Sequence, residues 1–250
     1  MSVPPAQIPT VPWATESLRA TVFPSPDAAI QPENWWQALL AQEPEQRIVR
    51  PRVGERKESG PFGSGLLTLM VRPERIDWRL SANLPTDEIP DAFPSLGEYG
   101  PTSTALADLV RSWIPLSPKA DRIAFGAVAL LPVASRIEGY EQLVTRLPAV
   151  NLDPNGMSDF QYRINRPRPS TTIPELRINR LATWSVAALH IKLVLGAETG
   201  GRDVAHAARL ELDINTSPAF LGTFDPAQSA AVFGELVGLA QEILERGDVP

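Results

Sequence analysis

Apolar positions recur along this chain with two different periods, and the switches between them outline its elements. Leu67, Leu69 and Val71 alternate on one side of Arg72-Pro73-Glu74-Arg75, and Ile76, Trp78 and Leu80 alternate on the other. Proline at the second position of a turn between two period-2 runs predicts a hairpin. Its wetter face carries Arg75, Asp77 and Arg79. Ser17 to Phe23 predicts a strand closed by Pro24 and Pro26. Ile123 to Leu131 has no charge on either face, the pattern of a central strand covered on both sides. Phe160 to Arg166 and Leu176 to Leu181 predict two strands joined at Pro167-Arg168-Pro169, and Trp184 to Leu195 a third. His206 to Asn215 predicts the last, with Ala208, Leu210, Leu212 and Ile214 on one face and Arg209, Glu211 and Asp213 on the other. Arg47 to Gly65, charged and glycine-rich, reads as an exposed loop with Arg50, Arg52, Arg56 and Lys57, and Gly196 to Gly201 as another.

The helical period appears in four places. Pro32 at a first helical position, with Glu33 in the first turn, opens a segment in which Trp35 and Trp36 meet Leu39 and Leu40 at i+4 spacing. Leu106, Leu109, Val110 and Trp113 share one face of a helix over 102–114. Ser135 and Glu138 form a capping box ahead of Tyr140, Leu143, Val144 and Leu147. The closing helix has Asp225 as cap, Pro226 at its first position, Gln228 three residues on, a broad apolar stripe from Val232 to Leu244, and Gly247 as its stop. Strands that cluster instead of alternating with helices predict an α+β fold: a large antiparallel sheet of hairpins and meanders, about four helices packed on it, and a long C-terminal helix. Residues 1–15, with Pro4, Pro5, Pro9 and Pro12, read as an extended proline-rich N-terminal arm, and residues 16–250 as a single domain.

Composition narrows the function classes. The chain has no cysteine, which removes disulfides, thiol nucleophiles and zinc–thiolate sites, and only two histidines, His190 and His206. Both histidines fall beside apolar positions and read as packed or half-buried. The uncharged run Ile123 to Ser135 is too short to cross a bilayer. No basic n-region precedes an apolar core at the N-terminus, so a cytoplasmic address is expected. A net charge of −6 argues against whole-surface binding to nucleic acid or anionic lipid. Neither glycine-rich stretch joins a strand to a helix N-terminus, as phosphate-cradling loops require, and no Gly-x-Ser-x-Gly elbow is present.

Against that acidic background one segment is basic. Arg163-Ile164-Asn165-Arg166 recurs as Arg177-Ile178-Asn179-Arg180, and with Arg168 this gives five arginines between 159 and 180 against Asp159 and Glu175. Paired antiparallel, the two strands could bring guanidiniums together to hold a phosphate or carboxylate bidentately, beside Tyr162 and Trp184 as stacking surfaces. The competing and favoured expectation is that Arg163, Arg166, Arg168, Arg177 and Arg180 answer acids such as Glu211 and Asp213 across the sheet. Those two carboxylates lie about 7 Å apart on one strand face, a spacing open to a hard cation, with Arg209 beside them as a salt-bridge partner. Trp35 and Trp36 are interface candidates, because adjacent helical residues cannot both face the core squarely and tryptophan is enriched at protein contacts.

Two stretches carry a resemblance. Trp35-Trp36 through Gly60-Pro61-Phe62 to Arg75-Ile76-Asp77-Trp78, and Leu210-Glu211-Leu212-Asp213-Ile214-Asn215 before a long helix, resemble uncharacterised, sporadically distributed bacterial proteins of similar length. The resemblance implies a compact bacterial α+β protein and carries neither activity nor site residues. With no complete catalytic motif, the expected function is a non-enzymatic protein-interaction module that binds a protein partner or self-associates, needs no cofactor and stays off membranes. The alternative is an anion or single-stranded nucleic-acid binder through the arginine hairpin 160–181. A carboxylate- and metal-dependent enzyme ranks behind both.

Overall fold

The alternating stretches pair into one antiparallel sheet with helices on one face. The computed structural model describes residues 12–32, 34–83, 90–195 and 198–249. Ten strands run through them: β1 (Ala14–Pro24), β2 (Gln46–Arg50), β3 (Glu55–Phe62), β4 (Gly65–Arg72), β5 (Arg75–Ala82), β6 (Ala120–Val133), β7 (Gln161–Asn165), β8 (Arg168–Pro169), β9 (Arg177–Leu195) and β10 (Glu198–Thr216). Their order is β2-β3-β4-β5-β1-β6-β10-β9-β7, with β8 also on β9. Four helices accompany them: α1 (Trp35–Leu40), α2 (Tyr99–Trp113), α3 (Arg136–Arg146) and α4 (Pro226–Arg246). The fold is α+β, as the clustering of strands predicts. Most of the expected proline arm, residues 1–11, and Glu33 in the expected first helical turn lie outside the described residues. The arm's end is not extended into solvent: Trp13 is buried, its Nε1 donates to the Leu244 carbonyl at 3.1 Å, and Ala14 already starts β1.

Three sequence expectations change. The stretch from Arg47 to Gly65 is not a loop but the β2–β3 hairpin. Its strand character was hidden because charges hold it together: Glu58, fully buried, takes Arg47 Nε across the strands at 2.8 Å and Arg56 Nη2 from its own strand at 2.7 Å. Gly63 supplies the positive φ (58°) of the turn into β4. The strands expected at 176–181 and 184–195 are one nineteen-residue strand, β9. Gly200 and Gly201 belong to β10, leaving 196 and 197 outside the described residues. β10 pairs with β6 only from His206 to Asn215, so beyond those residues β9 and β10 continue as a two-stranded ribbon.

Side chains at Leu18, Ala20, Leu67, Leu69, Trp78, Phe125, Ala127, Leu210 and Leu212 face the helices and are buried. α4 seats Phe233 edge-on to Phe125 at 6.0 Å. α1 and α2 close around Trp78, which stacks on Trp36 and meets Trp113 edge-on. α4 begins with the expected capping box, Gln228 N–H to Asp225 at 2.8 Å and Asp225 N–H to Gln228 Oε1 at 3.1 Å. It ends at Gly247, whose φ of 75° and approach to the Arg146 backbone leave no room for a Cβ. In α3, Val144 is exposed rather than part of the apolar face.

The other face of the sheet carries no helix among the described residues and is mostly open, so β6 has no second layer there, although Ala124, Gly126 and Leu130 on that face are buried. Register places Thr68, Arg79, Arg19, Gly126 and Asp213 in one row across β4, β5, β1, β6 and β10. Ala124 and Gly126 are buried there under neighbouring side chains, Arg19 lying over Gly126, and not under a second layer. Small uncharged residues on such a face mimic the sequence pattern of a buried strand.

Candidate functional site

Strand parity decides where the repeated arginines go. β7 pairs antiparallel with β9, Arg163 opposite Thr183 and Asn165 opposite Leu181, while Arg168 on β8 faces Ile178. The two copies of the repeat are therefore on neighbouring strands, as their sequence suggests. Period 2 then separates their members. Arg163 and Asn165 lie on the open face, whereas Arg180 lies on the helix face and is 2% exposed. Burial pushes the Arg180 pKa down, and the charge of Arg168 adds to that; Glu242 and Asp248 work the other way. Arg180 Nη2 stands 3.7 Å from Glu242 Oε2.

The acids that answer this cluster are not on β10. Arg166 grips Asp248 bidentately, Nε to Oδ1 at 2.5 Å and Nη2 to Oδ2 at 2.8 Å. The hydrogen bond to Asp248 raises the Arg166 pKa against burial. Arg168 forks onto Glu242 of α4 at 2.8 and 3.2 Å. The expectation that Glu211 and Asp213 would pair with these arginines is thus corrected: the C-terminal helix and the residues after it lie against the helix-facing side of β7 and β9 and supply the carboxylates. Arg177 donates to the Pro167 carbonyl at 3.4 Å, and only Arg163 and Arg177 stay exposed. Five guanidiniums do not converge on a common point.

Asn165 and Asn179 are likewise engaged. Nδ2 of Asn165 donates to Asn179 Oδ1, Nδ2 of Asn179 to Asn215 Oδ1, and Nδ2 of Asn215 to Asp213 Oδ1, each at 3.1 Å. This ladder crosses β7, β9 and β10 on the open face. Sequence reading missed Asn215, although the alternation that placed Asp213 outward places Asn215 there too. Glu211 pairs with Arg209 at 3.1 Å, the partner its strand suggests. Among the described residues, no three or more histidines, cysteines or acids gather where they could hold a metal ion.

The tryptophan pair is placed differently from its interface expectation. Trp35 is 5% and Trp36 1% exposed. Trp35 meets Trp113 edge-on at 5.4 Å and Trp36 stacks on Trp78 at 6.1 Å, so neither ring is left for a partner. A short helix lying between α2 and the sheet buries both adjacent rings, Trp35 toward α2 and Trp36 toward β5. The histidines split: His206 is half-buried, but His190 is exposed, its Nδ1 2.9 Å from Asp203. That hydrogen bond, working against burial, holds the Asp203 carboxyl below the usual range.

Glu235 of α4 anchors the turn after β8. It accepts from Ser170 Oγ and the Thr171 amide, both at 2.6 Å, and from Thr171 Oγ1 at 3.0 Å. Burial works to raise its pKa, but these hydrogen bonds outweigh it and hold it below the usual 4.5. A lowered folded pKa contributes stability that is present above the unfolded value and lost as pH falls through the folded one. Hydrogen exchange, corrected for its intrinsic pH dependence, is expected to show the amides of 171–173 loosening as pH falls through the carboxylate range. Glu235→Gln should loosen them already at neutral pH. Protection that ignores both pH and this substitution would contradict the assignment.

Comparison with protein-family models, curated proteins and solved structures finds no match. Among the described residues, no helix is long and apolar enough to cross a membrane. What the surface offers is then read from its own chemistry. At one margin of the sheet, every residue of β2 is exposed, including Ile48 at 42% and Val49 at 53%. Val53, just beyond, is 63% exposed.

Proposed function

We propose that the chain is a non-enzymatic interaction module that self-associates by joining the β2 edges of two copies. The observation that carries this reading is β2 itself: the terminal strand of the order, with no strand paired on its outer edge among the described residues and apolar side chains exposed on both of its faces. Unprotected edges of this kind recruit another strand. An antiparallel pair centred on Ile48 would set Ile48 against its own copy and Val49 against Arg47, an arrangement with two-fold symmetry. Repulsion between the copies is small, because the edge arginines are answered within each chain: Arg47 by Glu43 and Glu58, Arg50 by Glu55.

Sedimentation equilibrium of the full chain is expected to show a dimer. Ile48→Lys combined with Val49→Lys places like charges across the two-fold and should weaken the dimer by roughly tenfold or more. Far-UV circular dichroism should stay unchanged, since both side chains point into solvent. A strict monomer at high protein concentration, or a dimer indifferent to the double substitution, would sink the reading.

A further inference from the structure

The open face of the sheet holds a second concentration of cations, away from the arginine hairpin. A hollow of about 440 Å³ lies over β3, β4, β5 and β1. Volumes of roughly 300–1,000 Å³ are typical of small-molecule sites. Five cations line this one, Arg19, Lys57, Arg72, Arg75 and Arg79, against a single carboxylate, Asp77. Two of the five are answered locally: Arg72 by Glu55 at 2.8 Å and Arg75 by Asp77 at 2.7 Å. Asp77 is also held by the Thr21 hydroxyl at 2.6 Å, and it is 8% exposed, so it has little left to offer. Arg19, Arg79 and Lys57 have no acidic partner and no side-chain hydrogen bond among the described residues. Arg19 Nε is buried without an acceptor.

Register makes this arrangement unfavourable for the empty fold. Arg19 and Arg79 are direct cross-strand partners. Like charges directly opposite on an antiparallel pair repel and destabilise it. An ordinary surface would break such a pair with an acid, but Asp213, the acid in this row, stands on β10 with β6 between it and Arg19, and it is engaged by Asn215. Arg19 extends over Gly126, its Nη2 3.7 Å from where a Cβ would sit, so its guanidinium leans toward β6 and must turn back toward β5 to share a ligand with Arg79. Two guanidinium forks on adjacent strands match the several oxygens of a tetrahedral oxyanion. The hydroxyls of Thr68 and Ser81 line the same hollow and can donate.

We propose that this hollow binds a phosphate-bearing ligand, with Arg19 and Arg79 as its clamp and Lys57 completing the charge from across β4. A dianion there removes the Arg19–Arg79 repulsion, and the net negative charge of the chain makes so local a cationic site selective.

Titration calorimetry of the full chain with inorganic phosphate and pyrophosphate tests this, alongside citrate and a short oligothymidylate. Pyrophosphate is expected to bind more tightly than citrate and to raise the melting temperature, both effects fading as salt rises. Arg79→Thr should weaken pyrophosphate binding by roughly tenfold or more through loss of charge-assisted hydrogen bonds. The same variant without ligand should melt no lower than the parent, because the like-charge pair is gone. Arg163→Thr, exposed on the same face at the far margin, should bind as the parent does. The proposal is overturned if neither phosphate nor pyrophosphate binds at low salt, or if citrate binds as tightly as pyrophosphate. It is also overturned if only the oligonucleotide binds, if Arg163→Thr loses as much as Arg79→Thr, or if ligand-free Arg79→Thr melts several degrees lower. These readouts do not depend on the dimer, so their failure and that of the β2 edge are separable.

Discussion

Trp78→Ala is expected to destabilise the protein by about 3–5 kcal/mol, the range for removing a large aromatic from a packed core. Trp78 has no exposed surface and stands between two further indoles, Trp36 stacked at 6.1 Å and Trp113 edge-on at 6.1 Å. Removing it opens a cavity that α1, six residues long, α2 and β5 all border. Aromatic pairs contribute about 0.5–1.5 kcal/mol each beyond area burial, and here two are lost at once. The Trp78 Nε1 has no hydrogen-bond partner. Trp78→Phe therefore keeps most of the contact without orphaning an acceptor, and should be much the milder change. Equilibrium denaturation measures both; a loss under about 1 kcal/mol for Trp78→Ala would mean that α1 collapses onto the sheet and fills the space. A loss for Trp78→Phe equal to that for alanine would point to a role for the indole nitrogen instead.

How much of this was legible in the sequence follows from which contacts are local. The β4–β5 hairpin, the cap of α3 and both ends of α4 were readable, because a turn, a cap and a helix stop are each written within a few residues. β2 and β3 were not, because their pairing energy comes from charges that meet only across strands, such as Arg47 with Glu58. A run of mixed charges looks like a solvated loop unless the register is known. Fusion of β9 across residues 182 and 183 was hidden for a related reason: Ala182 and Thr183 interrupt the apolar count but not the ladder.

The arginine repeat shows the same limit at the candidate site. Its neighbouring strands were readable, but not its return: Arg168 and Pro169 still pair with β9, and the chain turns after them, between Ser170 and Leu176. Sequence could not give the partners, because Asp248 and Glu242 are more than 60 residues away along the chain. Nor could it show that Arg19 and Arg79 are cross-strand neighbours, since they are 60 positions apart. The charge anomaly visible in one dimension was answered within the fold; the anomaly that survives folding was distributed over four strands.

Asp248→Ala is the second large loss expected, about 2–4 kcal/mol, because it strips a buried charged hydrogen-bond partner from the helix-side arginines. The Asp248 side chain is 3% exposed and takes both forks of Arg166, with the Tyr162 hydroxyl at 3.4 Å from Oδ2. Without it, Arg180, 1% exposed at its side chain, keeps Glu242 at 3.7 Å as its carboxylate and the Val249 carbonyl at 3.5 Å. An exposed pair such as Arg111 with Asp108 contributes about 0–1 kcal/mol by comparison, so the contrast between the two sites separates burial from mere pairing. Asp248 also ties the segment after α4 to the end of α3, its amide donating to the Arg146 carbonyl at 2.8 Å. That backbone bond survives the substitution, so the loss reports the carboxylate. The double variant Asp248→Ala with Arg166→Met should lose clearly less than the sum of the single changes, as residues sharing one ion pair do. Additive losses in that cycle would show that the two side chains act independently and that the cluster is held by Glu242 alone.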